Sequence, residues 1–342
     1  MKLKIFLMSA AVMLLLWLSG CSNSRTTLES ADHYALGTIN HIQIESPHAE
    51  SLLKESFSII DTVESKMSRS IKTSEVSRIN AHSGRSPVTV SEATYSVIKK
   101  GLELSALSDG AFDITIGPVV SLWGIGTDHP RVPGTLELEK ALSLVNYRNV
   151  VLDSKNSSVY LKKRGMSIDL GAIAKGWAAD RVYRFLVDHD VKKGIINLGG
   201  NVFVIGRKSA AREWHVGIQD PEKTRGNYLG ILSVSDEAVV TSGKYERFFV
   251  YNGKKYHHIF NTFTGYPVEN GLISVTILGK DSTTADGYST VVFSLGLEKG
   301  MKLVEETPFI EAVIITGTHD IHLSSGIQKK FTLTDPGYKV VK

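Results

Sequence analysis

Asp286 and Thr290 stand four residues apart in TTADGYSTVVFSLG, just ahead of an apolar run. If the run is a helix, that spacing puts a carboxylate and a hydroxyl on one face. Both are oxygen donors, suited to magnesium or calcium rather than zinc. Two side chains are few ligands for such an ion, so main-chain carbonyls and a phosphate-bearing substrate would have to complete the shell. On these residues alone a plainer reading stays open. Asp286 could be a negative charge at a helix N-terminus, with Thr290 bonding back to its own turn.

Three further segments carry polar residues in unusual company. In GAFDITIGPVVSLWGIG, Asp113 sits inside an apolar run, where a carboxylate is costly unless paired or hydrogen-bonded. It is equally a turn cap or a functional group. In SIDLGAIAKGWAADR, Asp169 precedes a helical pattern and Lys175 lies in its first turn. A strand that opens into a helix offers free N–H groups and a positive dipole end to a phosphate. An aspartate cap beside a solvated lysine is the alternative. In YHHIFNTFTGYPVENG, His257 and His258 are adjacent, so on a strand they point to opposite faces and cannot both serve one site. Histidine suits a general base, and His257 is the better candidate for a merely structural role.

The elements that must hold these groups follow from periodicity. The first strand is expected over 33–45, after a polar stretch, 22–32, that has the look of a tether. Leu53, Phe57, Ile60, Val63 and Met67 lie at helical spacing. Further helices are predicted from Ser91, as cap, to Ser108, and over 135–145, 172–188, the TTADGYSTVVFSLG stretch (283–296) and 297–305. Short strands are predicted at 149–153, 157–162, 194–198, 201–206, 213–218, 229–235, 247–251, 272–278, 309–316 and 329–333. Helices and strands do not alternate regularly, which favours α+β over a doubly wound sheet. No G-x-G-x-x-G and no P-loop motif is present, so neither common nucleotide cradle is available.

The 342 residues are 42% hydrophobic and 22% charged, an ordinary globular balance. The formal charge of +4 falls by two if a leader carrying Lys2 and Lys4 is removed. With no basic run interleaved with aromatics, nucleic acid is not an expected partner. In MKLKIFLMSAAVMLLLWLSGCSNS two lysines precede an apolar run and then small residues, the layout of a secretory signal. The run is short for a membrane span. The chain's one cysteine, Cys21, closes Leu-Ser-Gly-Cys, which resembles a bacterial lipobox. That resemblance implies residues 1–20 as a lipoprotein signal peptide, acyl chains including palmitate on Cys21, and 21–32 as a tether. It implies a bacterial cell envelope address, anchored by lipid outside the cytoplasmic membrane, on a periplasmic or extracellular face.

Taken in order, ALGT (35–38), MSRSIKTSEVSRIN (67–80), GAFDITIGPVVSLWGIG, IDLGAIAKGWAADR, the Leu-Gly-Gly at 198–200, VGIQDP, TSGKYER, HHIFNTFTG and ADGYST resemble the ApbE-like flavin transferase family. The resemblance implies one α+β, T-fold-related domain over 33–342 with mixed and antiparallel sheets. It implies a magnesium-dependent FAD:protein FMN transferase that moves FMN from FAD to a threonine hydroxyl of a target protein and releases AMP. Carried over by motif, Asp286, Thr290 and the Ala172 carbonyl are expected metal ligands. Leu36, Ala111, Phe112, Asp113, Asp169, Lys175 and Ile259 are expected FAD contacts, and His258 the catalytic group. The chain departs from the family pattern at Leu36 (usually methionine), Ser70 (often tyrosine), Asn261-Thr262-Phe263 (commonly Asp-Pro-Arg) and Lys244 (usually acidic). These departures bear on acceptor preference and on transfer against plain FAD hydrolysis. A non-catalytic flavin carrier is the third reading.

Overall fold

The computed structural model describes residues 27–341. The leader, Cys21 and the first part of the expected tether lie outside them. Eight α-helices are present among the described residues: α1 Ala49–Met67, α2 Glu75–Ala81, α3 Glu92–Leu107, α4 Gly117–Trp123, α5 Thr135–Leu142, α6 Ala174–Asp188, α7 Ser282–Leu295 and α8 Leu297–Glu306. None is long and apolar enough to cross a membrane.

The frame is a nine-stranded sheet of β1 (Thr27–Ala35), β2 (Thr38–Ser46), β6 (Gly194–Leu198), β7 (Asn201–Ile205), β10 (Ala238–Gly243), β13 (Leu272–Gly279), β14 (Ile310–Thr316), β15 (Asp320–Leu323) and β17 (Lys339–Val341), in that spatial order. Every pairing is antiparallel except β15 with β17. β13 is buried along its whole length, Ser274 and Thr276 included, and its sequence LISVTILG carries no charged residue. One face of the sheet packs on the buried stripes of α1, α6 and α7 in the largest core. The other face carries Val204, Val239, Val313 and Ile315 against a small sheet ordered β16-β9-β8 (Phe331–Leu333, Tyr228–Val234, Trp214–Gln219). A third cluster, built on Trp123, Leu138 and Phe260, joins α4 and α5 to the hairpin of β11 (Phe248–Tyr251) and β12 (Lys254–His257). The remaining sheet is ordered β3-β5-β4 (Val88–Thr89, Ser158–Leu161, Val150–Asp153).

The α+β expectation holds, and the periodic segments form the expected elements. Four local readings change. Residues 27–32, read as the end of the tether, already belong to β1. The single strand expected over 33–45 is a hairpin, because Leu36 (φ 55°) and Gly37 (φ 68°) turn the chain. Ser91 does not cap α3 with its side chain; its hydroxyl bonds Glu75 instead. α7 starts at Ser282 with Asp281 as its cap, accepting from the Thr284 N–H at 2.7 Å. Asp286 therefore lies in the second turn, not at the helix start.

Candidate active site

α6 and α7 lie side by side in opposite directions, and their contact brings the first group of site residues together. Gly176, near the start of α6, has no room for a side chain: a Cβ there would sit 2.3 Å from the Ser282 carbonyl oxygen and 2.8 Å from the Asp286 Cβ. That close approach lets the Gly176 N–H donate to Asp286 Oδ2 at 2.9 Å. The other oxygen, Oδ1, faces the Lys175 ammonium at 3.6 Å. Asp286 is only 3% exposed. The α6 N-terminus thus already holds an anion, and it is the protein's own carboxylate. One turn further along α7, the half-buried Thr290 hydroxyl meets Ser242 Oγ of β10 at 3.1 Å. Ser242 also meets Ser289 at 2.7 Å, and Ser289 donates to the Asp286 carbonyl.

Gly287 packs as tightly, since a Cβ on it would lie 2.3 Å from Leu104 of α3. Ala172 lies in the turn before α6, partly buried against the core.

His258 follows the last residue of β12, so it is placed by a loop and not by the strand. Its backbone N–H donates to the Arg247 carbonyl at 3.1 Å, and its Nδ1 meets the same oxygen at 3.1 Å. With Nδ1 as donor, Nε2 keeps its lone pair. Burial pushes the His258 pKa down to about 4, and the Arg247 and Lys175 charges act in the same direction. The imidazole is therefore neutral at physiological pH, and it lies within the electrostatic reach of Lys175. His257 is buried, with Nε2 on the Val268 carbonyl at 3.0 Å and Nδ1 accepting from the Ile259 N–H at 3.3 Å. Both of its nitrogens are occupied, which makes it a core residue.

The remaining expected contacts converge by way of shared loops. The Leu36 turn is held from two sides: its N–H donates to Glu64 Oε1 at 2.9 Å, and the Arg247 guanidinium donates to the Gly37 carbonyl at 3.2 Å. Leu36 is thus fixed in a conformation uncommon for its type. Arg247 connects that turn to His258. Ala111 and Phe112 lie in a loop held by Ser108, whose carbonyl accepts from the Ala111 N–H and whose hydroxyl accepts from the Phe112 N–H at 3.0 Å. Thr262, beyond Ile259, donates to Gly110 and ties the histidine loop to this one. The Asp169 N–H donates to the Ile114 carbonyl at 2.8 Å, so the segment before α6 joins the same cluster.

Asp113 resolves as a turn organiser. Its Oδ1 accepts from the Thr115 N–H and hydroxyl, and its Oδ2 from the Tyr147 N–H at 2.8 Å. Burial raises its pKa, against the pull of those bonds. Asp169 does not cap α6, which carries no side-chain cap. Its Oδ1 closes a turn onto the Gly171 N–H at 2.8 Å, and its Oδ2 pairs with Arg69 Nη1 at 3.2 Å. Arg69 also reaches Ser121 of α4. The sequence alone does not single out Arg69, Arg247 or Ser242, although all three lie inside motifs quoted above.

The fold and site together define an α+β protein in which a buried carboxylate–lysine pair and a neutral, oriented histidine lie close to one another. The chain belongs to the ApbE family, whose model matches residues 36–314. It is 40% identical to an FAD:protein FMN transferase of Klebsiella pneumoniae, over 86% of this chain and 91% of that one. It is 37% identical to an FAD:protein FMN transferase of Treponema pallidum, over 88% of each. Among solved structures it resembles an ApbE protein of Thermotoga maritima (TM-score 0.82, 35% identity, 89% of this chain and 99% of that one). It also resembles the flavin transferase ApbE of Vibrio cholerae (TM-score 0.79, 29% identity, 89% and 100%).

Proposed function

We propose that this chain is an FAD:protein FMN transferase that takes FMN from FAD, places it on a threonine hydroxyl of an acceptor protein and releases AMP. The observation that carries the reading is His258, neutral and oriented by the Arg247 carbonyl, within reach of the charge of Lys175 beside a buried carboxylate. The family membership and the relatives' names support it.

In the proposed step the threonine oxygen forms a bond to the FMN phosphorus while the bond to the bridging pyrophosphate oxygen breaks. The hydroxyl proton passes to His258 Nε2, and AMP leaves with the electron pair of the broken bond. Lys175 offers its ammonium to the pyrophosphate. Arg247 holds the histidine by its carbonyl and the Leu36 turn by its guanidinium, so both stay in register.

The donor set fits a small hard cation. Asp286 Oδ1 is buried with its nearest cation at 3.6 Å, beyond the usual hydrogen-bond length, and the Thr290 hydroxyl lies one helical turn away. Asp286, Thr290 and the Ala172 carbonyl would hold magnesium, which supplies charge neutralisation at the pyrophosphate when bound. Anchoring through an acylated Cys21, on the outer side of the cytoplasmic membrane, belongs to the same proposal.

Incubation of the purified protein with FAD, magnesium and a threonine-bearing acceptor domain tests it. Covalent flavin on the acceptor is the expected result. Free FMN and AMP would instead favour water as nucleophile, a reading supported by the exposed Ser70 and the half-buried Lys244, where the family pattern has other residues. Unchanged FAD would leave a flavin carrier. His258→Ala should reduce transfer by about 10²-fold or more while FAD binding persists.

A further inference from the structure

Asp180 is buried on α6 and belongs to no part of the site described so far. Its Oδ1 accepts from the Ser282 N–H at 2.7 Å, and its Oδ2 accepts from the Thr283 N–H at 2.9 Å and from the Thr283 hydroxyl. Those two N–H groups open α7, where a helix has no partners of its own for them. Asp180 therefore caps α7 from the neighbouring helix. Asp286 does the reverse: from α7 it accepts the Gly176 N–H in the first turn of α6. Gly176 and Asp180 are four residues apart on one helix, Ser282 and Asp286 four apart on the other. Two antiparallel helices thus cap one another through carboxylates, one turn apart, across a contact that only glycine allows.

The two caps differ in what remains. Asp180 spends both oxygens on α7, whereas Asp286 keeps Oδ1 toward Lys175. The ends of α7 and α6 can slide against each other only by breaking at least one cap. We propose that Asp180 is a positioning residue for this site: by capping α7 it fixes the register in which Asp286 meets the Gly176 N–H and presents its free oxygen beside Lys175. The consequence for magnesium rests on the metal reading above; the consequence for Gly176 does not.

Amide hydrogen exchange and magnesium-induced thermal stabilisation of the full chain, in the absence of FAD, test the proposal. Asp180→Ala should speed exchange at Gly176 by about tenfold or more and weaken magnesium binding by about tenfold, the scale of lost outer partners around a metal ligand. Asp180→Asn, which keeps one acceptor, should fall between Asp180→Ala and the wild type on both readouts. Asp281→Ala removes the other cap of the same helix, so it should lower the melting temperature while leaving Gly176 exchange and magnesium binding within about twofold of wild type. If Asp180→Ala proves unfolded, Thr283→Val, which deletes one of the bonds, is read in the same way. Gly176 exchange unchanged in a folded variant overturns the proposal, whatever magnesium does. Wild-type protein that magnesium does not stabilise would sink the metal reading, and the Gly176 result would still decide the role of Asp180.

Discussion

At the scale of the residue, His258 is defined by which of its nitrogens is spent. Nδ1 is held by a carbonyl and the ring is neutral, so only protonation at Nε2 would remove the proposed base. Burial depresses its pKa from the ordinary 6.5 to about 4. A depressed folded-state value means that between 6.5 and about 4 the unfolded chain binds a proton that the folded chain refuses. The contribution of this group to stability is full above that window and is lost as pH falls through it. The same shift sets the rate profile. The acid limb of kcat/KM, which reports the free enzyme, should have its midpoint near 4 where it follows this group. A midpoint at the ordinary histidine value, removed by substitution of His258, would show that the ring is solvated in the free protein. Asp113 carries a second expectation. Asp113→Asn turns an amide N–H₂ toward donors at Thr115 or Tyr147, so urea unfolding should show a loss of about 1–3 kcal/mol. The sequence left the role of Asp113 open because one of its partners, Tyr147, is remote in the chain. A buried carboxylate announces that it needs partners, but its own neighbourhood does not say which ones. His257 and His258 show the opposite case. Adjacency alone implied that one of them would be structural, and Val268 and Ile259 are the groups that hold it.

At the scale of the element, the site depends on how closely helices approach. A methyl group at Gly176 would meet the backbone oxygen of Ser282 at 2.3 Å, and backbone there cannot move without parting α6 from α7. Gly176→Ala should therefore destabilise by about 3 kcal/mol and pull Asp286 from its N–H donor, with loss of activity. A methyl group at Gly287 would meet only the tip of the Leu104 side chain, also at 2.3 Å, and that tip can rotate. Gly287→Ala should cost about 1 kcal/mol with activity largely kept. Equal losses in unfolding experiments on the two variants would refute this reading of the contact. Helices with a clear apolar stripe were legible because one helix face decides them. The short α2 and α4 were not, since a turn or two carries too little periodicity. β10 and β12 were not legible for a different reason: AVVTSG is buried at three successive residues and does not alternate, and the four residues of β12 are too few for a period to show. Strand order was beyond reach, because β7 pairs with β10 and β10 with β13 across long stretches of chain.

At the scale of the whole molecule, residues expected to touch one substrate come from segments spread between Leu36 and Thr290, and the nine-stranded sheet is what gathers them. Helices cover one face of that sheet and the small three-stranded sheet the other, so the central strands are shielded on both sides. β1 is an edge strand of this frame and begins at Thr27. If Cys21 carries the lipid, the chain between it and β1 reaches roughly 20 Å even at full extension. The start of β1 would then stay within that distance of the membrane surface, so the anchor would choose acceptors by position and not by chemistry. Cys21→Ser separates the two. The variant should leave the membrane fraction and take up no radiolabelled palmitate, because one acyl-bearing residue supplies the whole attachment. Its turnover of a soluble acceptor domain should match that of the anchored protein within about twofold, since the whole of β1 separates Cys21 from Leu36, the first expected site residue. Its turnover of a membrane-bound acceptor should fall further, by the loss of effective concentration that tethering provides. A Cys21→Ser protein that stays in the membrane fraction would place the attachment elsewhere in the leader. One that loses activity on the soluble domain as well would mean that the anchor shapes the site and does more than locate it.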